Sequence, residues 1–289
     1  MSPALRRRLR EYALLTRLNR PIGSLLLLWP VLWALWLAEG GVPDGRLLAL
    51  FVVGTLLTRS AGCIINDFAD REFDPHVERT RERPLAARRV SPSEAIGLFV
   101  VLMLLAFIVV LQLDQRTVLL SLVAAALLAS YPFCKRFFAA PQVYLGVAFG
   151  WGVPMAFMAT TGGVPLLGWL IFAVAVIWAC IYDTFYAMVD REDDRRIGIR
   201  STALLFGRHD LLAIALLQSS MLGLLIWIGR LADLGWSYFL SLAVVALLFA
   251  RHLWWARDRE RAACFRAFLA NNHVGMIVWL GIAVATLHS

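Results

Sequence analysis

The sequence predicts an all-α, polytopic membrane protein in which nine transmembrane helices form a single domain. Three observations predict this fold. Hydrophobic residues make up 60% of the 289 residues, charged residues only 17%, and the mean hydropathy of +0.71 far exceeds that of a soluble domain. The apolar residues form nine runs of about 20 residues, the length that crosses a bilayer as a helix. The basic residues lie mainly between alternate runs, which is the pattern that orients membrane proteins.

Residues 1–20 hold six arginines among leucines at roughly helical spacing. This composition predicts a basic amphipathic helix that lies on the anionic membrane surface. The nine predicted spans follow at residues 22–38, 46–66, 93–112, 116–133, 142–160, 165–188, 210–229, 233–253 and 267–287. Turn-forming residues predict the connections on one side of the membrane: Gly40, Gly41, Pro43, Asp114, Gly162, Gly163, Pro165 and Asp233.

The basic residues predict the orientation of the spans. Of the 28 lysines and arginines, 24 lie in the N-terminal segment or in and beside the loops after spans two, four, six and eight. The opposite side has only Arg46, Arg116 and Arg230. Because cytoplasmic loops carry the excess of basic residues, we expect a cytoplasmic N-terminus and a periplasmic C-terminus. The net charge of +8 is explained by this orientation, and no nucleic-acid partner is inferred.

The four cysteines and the start of the chain exclude other classes of protein. The cysteines are scattered without a C-x-x-C pair, so neither a disulfide framework nor a zinc site is predicted. The apolar run after Arg20 is long enough to span the membrane, and we expect it to be retained as the first helix rather than removed as a signal peptide. No obligate protein partner is inferred.

Two acid-rich stretches, residues 66–74 and 183–194, each follow an apolar run. On a helix, side chains four positions apart share one face. This spacing predicts two stripes of polar side chains: Asn66, Asp70 and Asp74 in the first stretch, and Asp183, Tyr186, Asp190 and Asp194 in the second. The two stripes are offset by 120 residues. Such an offset is typical of internal repeats in membrane bundles, whose binding sites lie between the repeats.

Carboxylates stacked along a helix repel one another, and a hard divalent cation with oxygen ligands removes the repulsion. Mg2+ in proteins is held by one or two carboxylates together with phosphate oxygens. The pair of acid-rich stretches therefore predicts Mg2+ ions that connect the protein to a diphosphate. The alternative is that both stretches are solvated helix ends without a ligand.

Three basic residues are candidates for binding anionic groups. Arg59 lies within the second predicted span, seven residues before Asn66 and on the same helical face. It either pairs with an aspartate of the first stripe or binds a planar anion such as a carboxylate. Lys135 is the single lysine of the chain and precedes Arg136 in a short loop. It either supplies a compact cation for a phosphate oxygen or stands among 27 arginines by chance.

Seven ordered motifs resemble the UbiA superfamily of membrane aromatic prenyltransferases. They are RLNRPIG (17–23), NDFADREFD (66–74), RTRERP (79–84), YPFCKR (131–136), PQVYLG (141–146), DTFYAMVDREDD (183–194) and IGIRSTA (197–203). The resemblance covers nearly the whole chain and is strongest to the 4-hydroxybenzoate polyprenyltransferases. Arg200 stands where many members have lysine, which conserves the charge.

The resemblance implies a central cavity among nine helices, with the aspartate motifs at its cytoplasmic mouth, in the bacterial inner membrane. It implies transfer of a polyprenyl group from its diphosphate to the ring carbon ortho to the hydroxyl of 4-hydroxybenzoate, a step of ubiquinone biosynthesis assisted by Mg2+.

By motif position the resemblance also implies roles for individual residues. Mg2+ and diphosphate would be held by Asn66, Asp70, Asp74, Asp183, Asp190 and Asp194, of which Asp70, Asp74, Asp190 and Asp194 are the catalytic candidates. Diphosphate would also contact Arg83, Lys135 and Arg136. Arg59 would bind the benzoate carboxylate, and Asn66 and Tyr186 would also contact substrate.

Other functions remain as alternatives at this point. A related prenyltransferase would use a haem, naphthoate or homogentisate acceptor. A cation-coupled transporter would use the carboxylates as an ion path, but no ionisable residues continue that path to the far side of the membrane. A CDP-alcohol phosphotransferase is disfavoured because its D-G-x-x-A-R pattern is missing.

Overall fold

A computed structural model describes residues 2–134 and 137–287 of the chain. Within these ranges it contains twelve α-helices. They are α1 (Pro3–Leu15), α2 (Ile22–Glu39), α3 (Gly45–Ala69), α4 (Pro92–Val110), α5 (Gln115–Cys134), α6 (Pro141–Gly150), α7 (Gly152–Thr161), α8 (Leu166–Ile197), α9 (Thr202–Phe206), α10 (Asp210–Leu231), α11 (Trp236–Ala256) and α12 (Arg261–Thr286). In the described residues, nine helical stretches are long and apolar enough to cross a membrane, which confirms the predicted fold class.

The fifth span is made of two helices, α6 and α7, where the sequence predicts one. Trp151 separates them, as the last cap of α6 and the first cap of α7. Pro154 lies within the first turn of α7 and has no backbone N–H, so it cannot bond the carbonyl of Gly150. The series of backbone hydrogen bonds is therefore interrupted at Pro154, and the span continues across the membrane as α7.

Two helices are longer than predicted at the acid-rich end of the bundle. The helix α8 continues to Ile197 instead of ending near residue 188, and α12 begins at Arg261 instead of residue 267. Arg195 and Arg196 lie in the last turn of α8, where positive charge is favoured by the helix dipole. Gly198 ends the helix in a left-handed conformation, with a φ of 74°. The second acid-rich stretch is therefore helical throughout.

Four helices recur after an offset of about 120 residues. The helices α2, α3, α4 and α5 correspond to the α6–α7 pair, α8, α10 and α11, and each start shifted by 120 falls within two residues of its counterpart. A repeat with four spans returns the chain to the side of the membrane where it began. The second repeat consequently has the orientation of the first, and both acid-rich stretches lie at the same end of the bundle.

Seven spans enclose a central cavity. The helix α2 packs against α3, α7, α8 and α12, and α8 packs against α6, α7, α10 and α12. The helix α5 completes the enclosure by packing against α3, α6 and α7, and α4 packs against α3 and contributes Met103 and Phe107 to the cavity wall. The helices α10 and α11 lie outside this ring, against α8 and α12 respectively. The ring leaves side chains of α3 and α8 facing a common interior.

Tryptophans fasten α2, α8 and α12 beside the cavity. The rings of Trp33 and Trp178 are 5.2 Å apart, and both side chains are fully buried. Trp33 donates a hydrogen bond to the carbonyl of Gly275 at 3.0 Å, and Trp178 donates to Asn271 Oδ1 at 3.2 Å. A Cβ atom at Gly275 would lie 2.6 Å from Trp178, so only glycine admits this close packing. The contact fixes α8, which carries the second acid-rich stretch.

The N-terminal helix α1 is shorter than the predicted segment 1–20 and ends at Leu15. Leu15 is fully buried against the acid-rich end of α3 and the start of α4, in a small core with Ile64 and Ala95. Tyr12 donates a hydrogen bond to Glu94 at 3.1 Å. Leu5 and Leu9 are about half exposed beside the body of the protein. Docking at the acid-rich end of α3 brings the linker after α1 to the edge of the cavity.

The distribution of charge predicts the outcome of a topology measurement. A reporter fused after Ser289 should be active only in the periplasm, and a reporter inserted in the connection between α3 and α4 should be active only in the cytoplasm, because the basic residues are retained there. Paired alkaline phosphatase and fluorescent protein fusions at both positions measure this directly. A cytoplasmic C-terminus would contradict the nine-span arrangement.

Candidate functional site

One cavity of about 970 Å³ occupies the centre of the bundle and opens at the end where both acid-rich stretches lie. Its mouth is polar and bordered by α3, α8 and the connection between α3 and α4. Its interior is apolar and includes Phe51, Met103, Leu128, Leu145 and Met155. The cavity therefore combines a charged entrance with a hydrophobic chamber, an arrangement suited to an amphipathic ligand.

All the described residues that the sequence singled out line this cavity. They are Arg59, Asn66, Asp70, Asp74, Arg83, Asp183, Tyr186, Asp190 and Asp194. Their common location agrees with the prediction that the two stretches serve one site, while the role of each residue stays a prediction. Lys135 and Arg136 lie outside the described residues.

The first stripe is not a continuous helical face, and that prediction is wrong. The helix α3 ends at Ala69, and Asp70 is its C-cap. Asp74 begins a separate 3-10 turn, residues 74–76, four residues beyond that cap. Pro75 disfavours the α conformation at Asp74, which explains why the helix does not continue through it. Asp74 reaches the cavity through this turn, whereas the second stripe does lie on one helix, α8.

Arg79 links the two acid-rich stretches and was missed by sequence reasoning. Its Nε and Nη2 donate to Asp190 Oδ1 and Oδ2 at 3.0 and 2.6 Å, across 111 residues of sequence. Its guanidinium also lies 4.6 Å from the ring centroid of Tyr186. The RTRERP motif contains Arg79, but nothing in the local spacing identifies Asp190 as its partner. The pairing holds the connection between α3 and α4 over the cavity mouth.

Asp67 was also missed, because it does not fit the four-residue spacing of the stripe. Its side chain is 2% exposed and accepts hydrogen bonds from Arg17 and Arg83. Arg83 Nη1 also donates to Asp74 Oδ2 at 2.9 Å. Asn66 donates to Asp70 Oδ2 at 3.2 Å. The arginines of the mouth thus compensate carboxylates that are partly withdrawn from solvent.

Burial and these ion pairs change the proton affinity of the loop residues. Burial raises the pKa of Asp74 above its usual value, although Arg83 opposes the effect. Burial acts to lower the pKa of Arg83, but the carboxylates of Asp67 and Asp74 outweigh it and raise that pKa. Arg79 likewise has a raised pKa, since Tyr186 and Asp190 outweigh its desolvation. Both arginines are permanently charged and available to balance anions.

Arg59 lies deeper, where α2, α3 and α6 approach one another. Its Nη1 donates to Cys63 Sγ at 2.6 Å, and its guanidinium carbon is 6.0 Å from the ring centroid of Phe149. Within residues 2–134 and 137–287, Arg59 forms no ion pair, and its buried Nε has no hydrogen-bond partner. The sequence alternative of a salt bridge to a stripe aspartate is therefore not found in the described part of the chain. A cation aimed at a cavity without a carboxylate partner is suited to an anionic ligand.

The oxygen ligands at the mouth fit Mg2+ when phosphate completes the coordination. In the described ranges, no three His, Cys, Asp or Glu side chains lie close enough to hold a metal by themselves. Mg2+ does not require such a group, since it is held by one or two carboxylates with phosphate oxygens and water. The aspartates of α8 and of the α3 end supply ligands of this type on opposite sides of the mouth.

Comparison with known sequences identifies relatives along nearly the whole chain. The model of the UbiA prenyltransferase family matches residues 27–280. A protein from Xanthomonas euvesicatoria pv. vesicatoria, named 4-hydroxybenzoate octaprenyltransferase, is 59% identical over 278 residues, which are 96% of this chain and 92% of the relative. A protein of the same name from Alkalilimnicola ehrlichii is 56% identical over 278 residues, 96% of this chain and 95% of the relative.

Two solved structures share the fold. A UbiA homologue from Aeropyrum pernix K1 has a TM-score of 0.80 and 26% identity, and the match covers 91% of this chain and 98% of that one. A UbiA homologue from Archaeoglobus fulgidus bound to GPP and Mg2+ has a TM-score of 0.72 and 16% identity, with 95% and 99% covered. The helical bundle described above is therefore the fold of these proteins.

Proposed function

The chain belongs to the UbiA prenyltransferase family, and on that premise we propose that it transfers a polyprenyl group from polyprenyl diphosphate to 4-hydroxybenzoate. The new bond forms at the ring carbon ortho to the hydroxyl group. Relatives that are 56–59% identical over 96% of the chain carry the name of an enzyme with this acceptor. The observation that carries the reaction type is the meeting of the two acid-rich stretches at the mouth of one apolar cavity.

The polar mouth is proposed to bind the diphosphate of the donor. Asp70, Asp74, Asp190 and Asp194 would be the principal ligands of Mg2+ ions, which would supply the positive charge that neutralises the leaving diphosphate. Asn66 and Asp183, which line the cavity beside these acids, would complete the set. Arg83 donates only its Nη1 to protein carboxylates and keeps its Nε and Nη2 without a hydrogen bond to any described residue. Those two nitrogens are available to phosphate oxygens.

The apolar interior is proposed to protect the reacting carbon from water. Departure of the diphosphate leaves an allylic cation, which water would capture in an open site. Aromatic rings stabilise such a cation, and Tyr131, Phe149 and Tyr182 line the cavity between mouth and interior. The electron-rich ring of the phenol then attacks the cation, and the proton of the attacked carbon is lost as the ring regains aromaticity.

Arg59 is proposed to bind the carboxylate of the acceptor. Its guanidinium lies in the cavity wall, and its helix α3 continues for two further turns to Asn66. The carboxylate of 4-hydroxybenzoate is para to the hydroxyl group, so holding it at depth directs the hydroxyl end of the ring toward the mouth. This orientation places the ortho carbon on the side from which the donor enters.

The polyprenyl tail is proposed to occupy the space between α4 and α5. These helices make few contacts with each other, whereas their counterparts α10 and α11 pack closely. The cavity is bounded there by Met103, Phe107, Leu122 and Leu128. A long apolar tail would fill this region, and a tail of that chemistry explains why the enzyme works within the bilayer.

The location proposed for the enzyme is the bacterial inner membrane, with the mouth of the cavity toward the cytoplasm. The curated relatives are bacterial, and the basic loops border the mouth. Mg2+ and water-soluble 4-hydroxybenzoate are then available from the same side. A haem, naphthoate or homogentisate acceptor, or cation transport, receives no support from a specific feature of this cavity.

The reaction is tested with the purified full-length protein in detergent or nanodiscs. Incubation with Mg2+, 4-hydroxybenzoate and a prenyl diphosphate should give the 3-prenylated acid, identified by mass and fragmentation. Product with a naphthoate or homogentisate acceptor but not with 4-hydroxybenzoate would contradict the proposed acceptor.

Removal of a single aspartate from either acid-rich stretch should stop turnover while the protein stays folded. Asp70→Ala and Asp190→Ala should each lower kcat/KM by roughly 100-fold or more, because each removes charge that holds the metal and diphosphate. Glu72→Ala and Asp193→Ala are matched controls outside the cavity and should keep activity within about twofold. EDTA should abolish the activity of the wild-type enzyme, and added Mg2+ should restore that activity. Near wild-type activity of Asp70→Ala or Asp190→Ala at saturating Mg2+ would contradict the role proposed for that aspartate.

The substitution Arg59→Lys should weaken use of the acceptor much more than use of the donor. Lysine keeps the charge but loses the bidentate fork, at a cost of roughly 1.5–3 kcal/mol, or about 10- to 150-fold in acceptor affinity. A neutral phenol without the carboxylate should be almost indifferent to the change. The KM values for donor, acid acceptor and neutral acceptor measure this difference. A parallel loss for donor and acceptor would instead assign Arg59 to bracing the metal site.

The substitution Gly23→Ala should reproduce the Arg59 defect without changing Arg59. A Cβ atom at Gly23 would lie 2.3 Å from Arg59 Nη2, so the guanidinium must move. We expect acceptor KM to rise about tenfold or more with donor KM unchanged, for the loss of one charge-assisted bond. Gly54 lines the same cavity, but a Cβ atom there would meet no atom within 4 Å, so Gly54→Ala serves as the control. Equal KM values for the Gly23 and Gly54 variants would show that Arg59 need not occupy its observed position.

A further inference from the structure

Asp67 lies in the first acid-rich stretch, but its carboxylate is enclosed by arginines. Both of its oxygens accept hydrogen bonds from Arg17 Nη2 at 2.8 Å, and Oδ1 also accepts from Arg83 Nη1 at 3.0 Å. Arg17 belongs to the linker between α1 and α2, and Arg83 to the connection between α3 and α4. A single buried anion at the end of α3 therefore ties together two segments that border the cavity mouth.

Arg17 is fixed in this arrangement by a second contact. Its Nη1 donates to the carbonyl of Leu14 at 2.8 Å, in the last turn of α1. Its backbone has a φ of 60°, a left-handed conformation that an arginine adopts only where its surroundings impose it. Arg17 is thus held from the side of α1 as well as by Asp67, which makes Asp67 a fixed rather than a mobile anion.

The contacts of Arg83 divide its guanidinium into two parts. Nη1 is shared between Asp67 and Asp74, at 3.0 and 2.9 Å. The Nε and Nη2 atoms form no hydrogen bond to any residue in the described ranges, although Arg83 lines the cavity. These two atoms make the side-on edge of the guanidinium, which binds phosphate or carboxylate through two parallel hydrogen bonds. The acids therefore occupy one corner of Arg83 and leave its bidentate edge for a ligand.

We infer that Asp67 is a positioning residue and not a metal ligand: it fixes Arg83 so that the bidentate edge of Arg83 receives the diphosphate of the donor. The identity of the ligand as a prenyl diphosphate rests on the proposed function. The assignment separates Asp67 from its neighbours Asp70 and Asp74, with which it shares an acid-rich motif.

The burial of Asp67 argues against direct coordination. Its side chain is 2% exposed, and a metal ion would have to displace Arg17 or Arg83 to reach it. Displacement would leave an arginine without its partner in a desolvated position, which is strongly unfavourable. Asp190, in contrast, is paired with Arg79 at the open mouth, where its side chain is 14% exposed and that of Arg79 is 28% exposed, so a second cation has access to the carboxylate.

The inference is tested by direct binding of a non-hydrolysable donor, geranyl S-thiolodiphosphate, to the purified full-length protein. Calorimetry at fixed Mg2+ compares wild type, Asp67→Asn, Arg83→Gln and the double variant. Asp67→Asn and Arg83→Gln should each weaken binding by about tenfold or more, and Asp67→Asn should add little in the Arg83→Gln background, because Asp67 acts through Arg83. Glu72→Gln is the neutral control on the same connection.

A Mg2+ titration at a fixed concentration of the analogue supplies the second readout. Asp67→Asn should keep the wild-type Mg2+ concentration for half-saturation within about twofold, whereas Asp70→Asn should raise it. A rise for Asp67→Asn that equals the rise for Asp70→Asn would make Asp67 a metal ligand and overturn the inference. Additive losses in the double variant, or unchanged binding by Asp67→Asn, would overturn it as well.

Thermal unfolding of each variant shows whether the variant is folded, so that a loss of binding can be assigned to the substituted side chain. If Asp67→Asn does not fold, Asp67→Glu replaces it, because glutamate keeps the charge and displaces the carboxylate by one methylene group. The same loss of analogue binding and the same Mg2+ dependence are expected of it. Wild-type protein that binds the analogue but transfers no prenyl group to 4-hydroxybenzoate would contradict the proposed function and leave the role of Asp67 to be decided by the binding data.

Discussion

Negative charge at the end of a membrane-spanning helix needs a compensating positive charge, and the cavity mouth is built around this constraint. Carboxylates that are withdrawn from water at the edge of a bilayer are costly unless cations accompany them. Here Arg17 and Arg83 compensate Asp67, and Arg79 compensates Asp190. The pairs of Arg17 with Asp67 and of Arg79 with Asp190 join residues 50 and 111 positions apart, so the charge balance also determines the path of the connections over the cavity. Breaking a buried pair of this kind costs roughly 3–5 kcal/mol.

The four-span repeat explains how the chain brings two sets of acids to one place. An even number of spans gives both repeats the same orientation, and the ring of helices turns α3 and α8 toward a shared interior. The helix α8 is held by buried tryptophan contacts to α2 and α12 and extends beyond the other spans, so its acids face the mouth on a rigid element. The acids at the end of α3 instead follow a turn, and arginines hold them in place. The mouth therefore combines acids on a continuous helix with acids at a helix end that arginines hold.

The sequence predicts the features that depend on local composition and period. The nine spans, their turns and the common side of the two acid-rich stretches follow from apolar length and charge distribution, and the structure agrees with each. The pairing of Arg79 with Asp190 and that of Asp67 with Arg17 do not follow, because these residues lie 111 and 50 positions apart and no periodicity connects them. The four-residue rule also placed Asp74 on a helix that ends before it. The rule describes positions on an uninterrupted helix, whereas α3 ends at its cap Asp70 and Asp74 lies in a separate 3-10 turn.

The central claim is that the two acid-rich stretches hold one metal–diphosphate ligand between them. Electron paramagnetic resonance of Mn2+ tests it most directly, since Mn2+ replaces Mg2+ at oxygen sites and its free signal is lost on binding. We expect tight binding of Mn2+ to the wild-type protein only when a non-hydrolysable prenyl diphosphate is present, and loss of that binding in both Asp70→Asn and Asp190→Asn. Binding that persists in either variant, or that is independent of the diphosphate, would contradict the account.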